Sequence, residues 1–446
     1  MVNKSDSIMR WLGKFHLYDE EISGELSYEN DTGCIVLVLS KKLDESEFFE
    51  KRYSSIEIIR GESAIGQKIT LINNKCIHNE TRFPQSQVIA FSSELVLFSN
   101  NYTDDTLFNE YSCTLINAFE WSGLKVFEVD ENGLRLNKRQ NKKEYRWFGA
   151  TVEFSVFANE CFIGNFDYEE KNICQRVKLS IKTEKKKPID YFIGVKDKVT
   201  SLISFAMANN VNVENGCLRD YDNYYSLGNQ VKQYYENYII EARRELDIYK
   251  SNRFDYKFLL DQLNDNERLS EALEKLVPVF NLYQSLFRYR DMPIEMVFLN
   301  VVQALETFHA RFFYNDKKSE YVKSVKRKFS DSKISEEIMN DLISGYQEKS
   351  KIIILASRIN DLLFDNLSGI FVDYWPRENN FTQRIVDSRN YYTHYDPSKE
   401  EKALKGEELK SAIGVLSCLL DYHVCKILGI DISEQTRRTL TRIGGL

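Results

Sequence analysis

The sequence contains little of what builds flexible linkers, disulfide frameworks or metal clusters. Proline occurs 6 times and glycine 19 times in 446 residues, and no stretch is of low complexity, which argues against long disordered linkers and collagen-like segments. The 8 cysteines are scattered without any Cys-x-x-Cys pair, a pattern that indicates reduced thiols. Cys76 and His78 lack a second pair at ligand spacing. We therefore predict no metal site and no other cofactor.

Long apolar runs and an excess of positive charge are also missing. The first residues mix charged and apolar side chains, and we find no run of the roughly 20 apolar residues that a membrane-spanning helix needs. We therefore expect a cytoplasmic protein with no membrane partner. The net charge of -7 argues against a protein that coats nucleic acid through bulk positive potential. Any contact with RNA must use a local patch.

The first part of the chain has the period of β-strands. From Gly13 to about Ile181, short alternating apolar runs are separated by turn formers, which is typical of an antiparallel sandwich or barrel. After the basic run from Lys182 to Pro188, apolar residues at helical spacing predict a helix near 189–209. We assign residues 1–250 to a β-rich, sandwich-like N-terminal domain.

The second part has the period of amphipathic helices, beginning at about Val231. Pro278 predicts a break or kink in one of these helices. We place the domain boundary near residue 250, so that residues 251–446 form an all-α domain and the fold class is α+β. Helices are predicted near residues 231–249, 254–262, 266–287, 293–313, 334–364, 379–393 and 405–428.

One short segment, RNYYTH from Arg389 to His394, combines residue types that suit RNA cleavage. It ends a predicted helix before Pro397, where the negative end of the helix dipole favours a positive charge. When the 2′-hydroxyl of RNA attacks its own phosphate, a histidine can move protons while an arginine neutralises the developing charge, with no metal needed. Asn390 can bind the phosphate or orient the histidine. The two tyrosines, Tyr391 and Tyr392, can stack on a base or simply pack.

The same residues also have an ordinary structural interpretation. His394 can be a C-terminal cap partner, and Arg389 can form an ion pair with Asp387 or Glu306. The two motif residues lie about 140° apart on an ideal helix, so a bent or frayed last turn would be needed to bring them together. An arginine five residues before one of 5 histidines also arises easily by chance. The bare pattern therefore leaves both interpretations open.

Two other histidines and one basic run also require an interpretation. His309 and His423 lie on predicted helices, and we interpret them as structural. The run KKSEYVKSVKRKFSDSK is the best candidate for an RNA-backbone contact, since phosphate contacts set register without reading sequence. A solvated linker is the alternative for this run. The candidate RNA-binding residues of this basic run are Lys323, Lys326, Arg327 and Lys328.

RNYYTH is similar to the R-[NDH]-x3-H signature of HEPN domains, including the asparagine after the arginine. The upstream segment IEMVFLNVVQALETFHARFF resembles the paired helix of the ApeA-like HEPN family, with QALE facing the motif. GELSYENDTGCIVLVLS, IIRGESAIGQKITLIN and YSCTLINAFEWSGLKVF resemble the β-rich domain that accompanies this HEPN domain in bacterial antiphage proteins. The resemblance implies a HEPN-type helical bundle after the β-rich domain.

The resemblance also implies an activity. It suggests a metal-independent endoribonuclease of abortive infection, a toxin that cuts cellular or phage RNA, with tRNA as one candidate substrate. Arg389, Asn390 and His394 would be its catalytic residues, and two protomers would pair so that two motifs face one cleft. Glu306 and Arg311 would support the motif, although ordinary surface charges are the commoner interpretation. The β-rich domain would sense a phage-derived trigger or restrain the nuclease.

Three other functions compete with this one. The first is a non-catalytic HEPN-like module that binds nucleotides or partner proteins. The second is a sugar-binding or peptide-binding β domain on a helical oligomerisation stalk, although the sequence has no evident aromatic ladder or calcium loop. The third is a transcription factor, which the acidic balance and the lack of a helix-turn-helix with a basic recognition helix disfavour.

Overall fold

The structure is a computed structural model in which two compact units are described separately. The first unit comprises residues 1–203, 210–252 and 265–267, and the second comprises residues 204–209, 253–264 and 268–446. Within these ranges, the structure describes residues 8–30, 32–43, 54–82, 86–99, 103, 105–131, 133–136, 142–164, 169–227, 231–242, 256–263, 267–288, 292–313, 355–364, 370–371 and 380–443.

The strands of the described residues all fall in the first unit and pair antiparallel. They are β1 (Ile8–Leu17), β2 (Glu20–Glu29), β3 (Ile35–Lys42), β4 (Ser55–Ser63), β5 (Lys68–Arg82), β6 (Ser86–Phe98), β7 (Phe108–Leu115), β8 (Phe127–Asp130), β9 (Gly133–Leu136), β10 (Lys142–Trp147), β11 (Ala150–Gly164), β12 (Glu169–Lys187), β13 (Val213–Leu227) and β14 (Val231–Glu241).

The first six strands close into a barrel. They pair in the order β1-β2-β3-β6-β5-β4, and β4 returns to β1. Alternate side chains point inward and form one core, in which Leu26, Leu37 and Phe91 are fully buried. Gly61 is needed because a Cβ there would lie 2.4 Å from Cδ1 of Phe15. The predicted antiparallel β domain is therefore confirmed.

Six further strands extend the barrel into a wider sheet, whereas β8 and β9 pair separately. Strand β6 also pairs with β14, and the order continues β14-β13-β7-β12-β11-β10. Every residue of the inner strand β7 is buried. The predicted helix near 189–209 is α2 (Ile189–Met207), whose Tyr191 hydroxyl donates to the carbonyl of Phe148 at 2.8 Å. A shorter helix, α1, spans Phe119–Ser122.

A buried charge cluster ties α2 to this sheet. The ammonium group of Lys196 pairs with Glu241 on β14 and lies 2.8 Å from Asp197. The hydroxyl of Tyr111 on β7 donates to Glu241 at 2.7 Å. Burial works against the charge on Lys196, but Glu241 and Asp197 outweigh it and raise the pKa of Lys196. Burial, followed by the neighbouring acidic groups, raises the pKa of Tyr111.

The second unit is helical, as predicted. Its α-helices in the described residues are α3 (Glu267–Tyr283), α4 (Ser285–Arg288), α5 (Ile294–Phe312), α6 (Leu355–Phe364), α7 (Phe381–His394), α8 (Gly406–Leu428) and α9 (Ser433–Ile443). Helix α5 packs on α6, α7 and α8, and α8 also packs on α6 and α9. Two short 3-10 helices span Leu260–Gln262 and Pro397–Lys402.

Helix α8 is the core helix of the second unit. Among the described residues, it alone is long and apolar enough to cross a bilayer by length and composition, which differs from the expectation above. However, 56% of its most apolar 18-residue stretch is buried inside the structure. Leu416, Leu419 and Leu420 are fully buried in the bundle. Packing against its neighbours therefore explains the apolar character of α8.

Several predicted helices need correction. The described part of the range 231–249 is strand β14, because its valine, tyrosine and isoleucine residues favour a strand between two partners. In the range 254–262, the described residues form only the 3-10 helix Leu260–Gln262. Helix α3 continues through Pro278, and the helical stretch is instead interrupted at Gln284. Of the range 334–364, residues 334–354 lie outside the described part of the chain.

Candidate active site

The RNYYTH motif forms the last two turns of α7. Phe381, Ile385 and Tyr392 are buried and hold one face of the helix in the bundle. The helix remains regular through His394 and ends at Tyr395, which adopts a left-handed conformation with φ 51°. The bent or frayed last turn that the sequence suggested is therefore not observed. The separation of about 140° between Arg389 and His394 persists.

The polar motif residues share the outer face of this helix. At 100° per residue, the order around the axis is Arg389, Thr393, Asn390, His394 and Tyr391, opposite the buried Tyr392. Asn390 and His394 are four residues apart and are neighbours on the surface. The side chain of His394 is exposed, whereas Asn390 is half-buried. The motif therefore presents a continuous polar stripe to solvent.

Arg389 is held loosely. Its Nη1 donates to Oδ1 of Asn390 at 3.3 Å, and its Nη2 lies 3.9 Å from a carboxylate oxygen of Glu306 on α5. The Arg389 side chain is 36% exposed. Of the two acidic partners considered from the sequence, Glu306 is the one beside it. Asp387 instead accepts from Lys399 at 2.8 Å. A phosphate can compete for a guanidinium in such a long ion pair.

Two contacts hold α5, the helix that carries Glu306, against α6. Arg358 donates to the backbone carbonyl of Glu306 at 2.8 Å, and the Nε2 of His309 lies 2.9 Å from a carboxylate oxygen of Asp361. His309 is fully buried. These two contacts, one helical turn apart, fix the height and rotation of α5 against α6. Arg358 was not among the residues predicted from the sequence, because its partner lies 52 residues away.

His423 has a comparable packing environment. It is buried on α8, and its Nε2 lies 2.8 Å from the carbonyl oxygen of Leu362, so this ring nitrogen donates. Its ring also packs against Phe308 with ring centroids 5.8 Å apart. His309 and His423 therefore both have the burial that a structural role requires.

The chain after the motif folds back onto α7. The hydroxyl of Tyr392 donates to the carbonyl of Leu404 at 2.7 Å, and the backbone N–H of Leu404 donates to the hydroxyl of Ser388 at 2.7 Å. A hydrogen bond from Lys399 to Asp387 spans the same two segments and raises the pKa of Lys399. These contacts hold the end of α7 in place.

Tyr392 is therefore a packing residue, which corrects its assignment to an RNA-contact set. Only 9% of it is exposed, and its ring packs against Phe298 with centroids 6.2 Å apart. Burial, followed by the nearby carboxylate of Glu295, raises the pKa of Tyr392. Tyr391, in contrast, is half-buried at the surface. Its ring lies beside Tyr395, and the ammonium group of Lys405 lies 5.8 Å from its centroid.

Arg311 does not join this group. Arg311 is exposed in the last turn of α5, more than one turn beyond Glu306. The four basic residues from Lys323 to Lys328 lie outside the described residues. Across the part of the chain that the structure describes, no group of three or more His, Cys, Asp or Glu side chains is placed to hold a metal ion.

Comparisons with known proteins agree with the two-part organisation. A family model described as ApeA N-terminal domain 1 matches residues 10–272, which is more than half of the 446 residues. A second model, described as Apea-like HEPN, matches residues 299–434. The second match contains Glu306 and the whole RNYYTH motif. No curated protein and no solved structure matches the chain significantly.

Proposed function

The chain belongs to the ApeA family of HEPN-domain antiphage proteins, and on this premise we propose that it is a metal-independent endoribonuclease. The observation that carries the proposal is the exposed polar stripe of α7. Arg389, Asn390 and His394 lie on this stripe at the end of an ordered helix. Histidine and arginine are the residue types that transesterification by the 2′-hydroxyl requires.

We assign the roles from position and chemistry. His394, exposed at the helix end, exchanges a proton with the 2′-hydroxyl or with the leaving 5′-oxygen. Arg389 leaves the long contact with Glu306 and binds the nonbridging phosphate oxygens, whose charge increases in the transition state. Asn390, which already accepts from Arg389, keeps the guanidinium near the histidine side of the helix. Glu306 positions Arg389 between turnovers.

A second copy of the chain fits this arrangement. Because Arg389 and His394 point about 140° apart on one regular helix, one helix end surrounds a phosphate poorly. Two protomers with facing motifs would supply four such groups to one cleft. We therefore propose a homodimer through the HEPN domain. In the cell, we propose a cytoplasmic enzyme that cuts cellular or phage RNA, including tRNA, once a phage-derived trigger acts on the β domain.

The experiment compares RNA cleavage by the full-length wild type, Arg389→Ala and His394→Ala in EDTA-treated extracts of phage-infected cells, which supply the proposed trigger. Arg384→Ala is the matched arginine control, since Arg384 lies on the same helix and pairs with Glu408 at 2.7 Å. His16→Ala is the matched control for an exposed histidine. We expect the wild type and both controls to cleave RNA, and both motif variants to be inactive while remaining folded.

Three outcomes would contradict the proposal in whole or in part. Motif variants that cleave as fast as wild type would place the activity elsewhere. RNA binding without cleavage, in extracts of infected and uninfected cells alike, would favour the non-catalytic binding module. Loss of cleavage in EDTA, restored by a divalent cation, would retain a nuclease but remove its metal independence.

A further inference from the structure

A second surface feature lies directly beside the motif. Tyr395, the residue after His394, has 66% of its surface exposed although it is a large aromatic residue. Its φ of 51° places it in the left-handed region, which glycine or asparagine usually occupies after a helix. Neither packing nor backbone preference therefore explains a tyrosine at this position.

Another tyrosine shows that exposure and backbone conformation are insufficient evidence by themselves. Tyr18 in the turn between β1 and β2 is 68% exposed and has φ 56°. The difference lies in what surrounds each ring. Tyr395 follows the proposed catalytic histidine and belongs to a group of aromatic and basic side chains. Tyr18 connects two strands of the barrel.

The group around Tyr395 has the elements of a nucleotide site. The rings of Tyr391 and Tyr395 have centroids 5.5 Å apart and are inclined at 65°. The ammonium group of Lys405 lies 5.8 Å from the centroid of Tyr391 and 3.3 Å from an exposed carboxylate oxygen of Glu400. An exposed ring can accept the face of a base, and a nearby lysine can contact its phosphate. The phosphate would replace Glu400 as the partner of Lys405.

The platform is built on ordered backbone. Asp396 accepts from the backbone N–H of Ser398 at 2.9 Å. Hydrogen bonding by the side chain of Ser398, followed by this N–H, lowers the pKa of Asp396. Downstream, Leu404 is fixed to α7 by the contacts with Tyr392 and Ser388. Both ends of the segment that joins Tyr395 to Lys405 are therefore anchored. A tyrosine ring held in this way loses little conformational freedom when it stacks on a ligand.

We propose that Tyr395, Tyr391 and Lys405 form a nucleobase platform that binds one unpaired base of single-stranded RNA, and the adjoining phosphate, beside His394. This inference rests on the proposed ribonuclease function and adds its substrate class. Tyr395 stacks on the base, Tyr391 supports the ring of Tyr395 from the side, and Lys405 contacts the phosphate. An RNA whose base is paired within a duplex cannot present that face, so the platform selects loops and single strands.

The test measures binding separately from cleavage. The full-length His394→Ala protein is titrated against a fluorescein-labelled single-stranded RNA 12-mer, and affinity is followed by fluorescence anisotropy. Tyr395→Ala, Tyr395→Phe and Tyr18→Ala are each added to this background. We expect Tyr395→Ala to weaken binding about tenfold, since base stacking on an aromatic residue contributes roughly 5- to 150-fold in affinity. Tyr395→Phe and Tyr18→Ala should bind like the parent.

A set of 12-mers with one abasic nucleotide at each position identifies the stacked base. At one position, loss of the base should abolish the difference between Tyr395→Ala and its parent. Lys405→Gln should reduce the slope of log affinity against log salt by about 0.7, the value for one phosphate contact on a single strand.

The possible outcomes distinguish a failure of the nucleobase platform from a failure of the ribonuclease function. Equal binding by Tyr395→Ala and its parent, or a difference that no abasic position removes, would overturn the platform. Absence of RNA binding by the parent would do the same. Intact stacking combined with a wild-type protein that does not cleave RNA would overturn the ribonuclease and leave the platform standing.

Discussion

One charged group from each unit shows two opposite ways of pairing a cation. In the β unit, Lys196 and Glu241 have side chains only 7% and 13% exposed and are surrounded by partners. In the helical unit, Arg389 is 36% exposed, and its acidic partner lies 3.9 Å away. A saturated buried cluster has no position left for a ligand, whereas a loosely paired surface cation does. Completeness of pairing thus separates structural charges from candidate functional ones in this chain.

A second cluster of the β unit follows the same rule. Arg219 pairs with Glu236 and lies 3.4 Å from Glu110, whose side chain is 8% exposed. Tyr221 donates to Glu110 at 2.9 Å. Burial, followed by Glu110, raises the pKa of Tyr221. These groups link β7, β13 and β14, and each of the two carboxylates has a partner within the cluster.

The largest predicted effect concerns activity and should leave stability unchanged. His394→Ala should lower the cleavage rate by roughly 100- to 10,000-fold, the usual contribution of a general acid or base. Its exposed side chain contributes little to packing, so the free energy of unfolding should change by less than about 0.5 kcal/mol. Single-turnover cleavage and urea unfolding measure the two quantities. A large loss of stability would make His394 a structural residue.

The next largest effect concerns stability instead of activity, and it is a loss of stability in the β unit. Glu241→Gln leaves the charge of Lys196 buried without its main partner and should cost about 3 kcal/mol. Because the pKa of Lys196 is raised, its contribution is complete below about pH 10 and is lost only as the pH rises through the folded value. Urea unfolding at pH 7, with hydrogen exchange to localise the loss, measures it.

The control for this prediction is an exposed pair of the same sheet. Glu144→Gln removes an ion pair with Lys142, whose side chain is 58% exposed, and should leave the free energy of unfolding unchanged within error. Replacing Lys196 and Glu241 together by Met and Leu should recover most of the stability that Glu241→Gln loses. Equal losses in the buried and the exposed variants would contradict the contrast between them.

A smaller effect compares one hydroxyl from each unit. Tyr392→Phe removes the buried hydrogen bond to Leu404 and should cost about 1 kcal/mol, with faster hydrogen exchange in residues 381–404. Tyr238→Phe removes a hydrogen bond to Glu236 from a tyrosine that is 53% exposed, and we expect no measurable change. If the two variants lose equal stability, burial is not what makes the contact to Leu404 important.

The smallest predicted effect depends on pH. The hydrogen bonds from Arg384 lower the pKa of Glu408, so the pair stabilises the folded state above the ordinary pKa of a glutamate and loses this effect as the pH falls through the lowered value. Because the Glu408 side chain is 55% exposed, Arg384→Ala should cost less than about 0.5 kcal/mol at pH 7. In thermal unfolding, the difference between variant and wild type should shrink as the pH falls below the ordinary glutamate pKa of about 4.3 and vanish once Glu408 is protonated.

Local patterns were enough to predict most of the fold. The alternating runs predicted the strands, and the spacing of apolar residues predicted α2, α5, α7 and α8 within a few residues. Strand β14 was mistaken for a helix because Tyr234 and Tyr238, and Tyr235 and Ile239, repeat at a spacing of four residues. Its pairing with β13 and β6 comes from distant parts of the chain, which no local pattern reveals.

The candidate site likewise combines residues that a local pattern reveals with contacts that it does not reveal. Arg389, Asn390 and His394 are close in sequence, so the motif could be recognised from the residues alone. The contact between Arg358 and Glu306 joins two helices across 52 residues and leaves no periodic signal. Lys405 comes beside Tyr391 only because the chain reverses after Pro397. The sequence could have raised Tyr395 as a candidate, since it is an aromatic residue directly after the motif.

Closure of the barrel also affects where the β unit can pair with a strand of another polypeptide. Strands β1 to β6 complete one another, and at the other end of the twelve-stranded sheet the outermost strand is β10. The side chains of Lys142, Glu144 and Arg146 on β10 are exposed. Charges on an edge strand oppose the docking of another strand. This edge is thereby protected against edge-to-edge aggregation, a common failure of large open sheets.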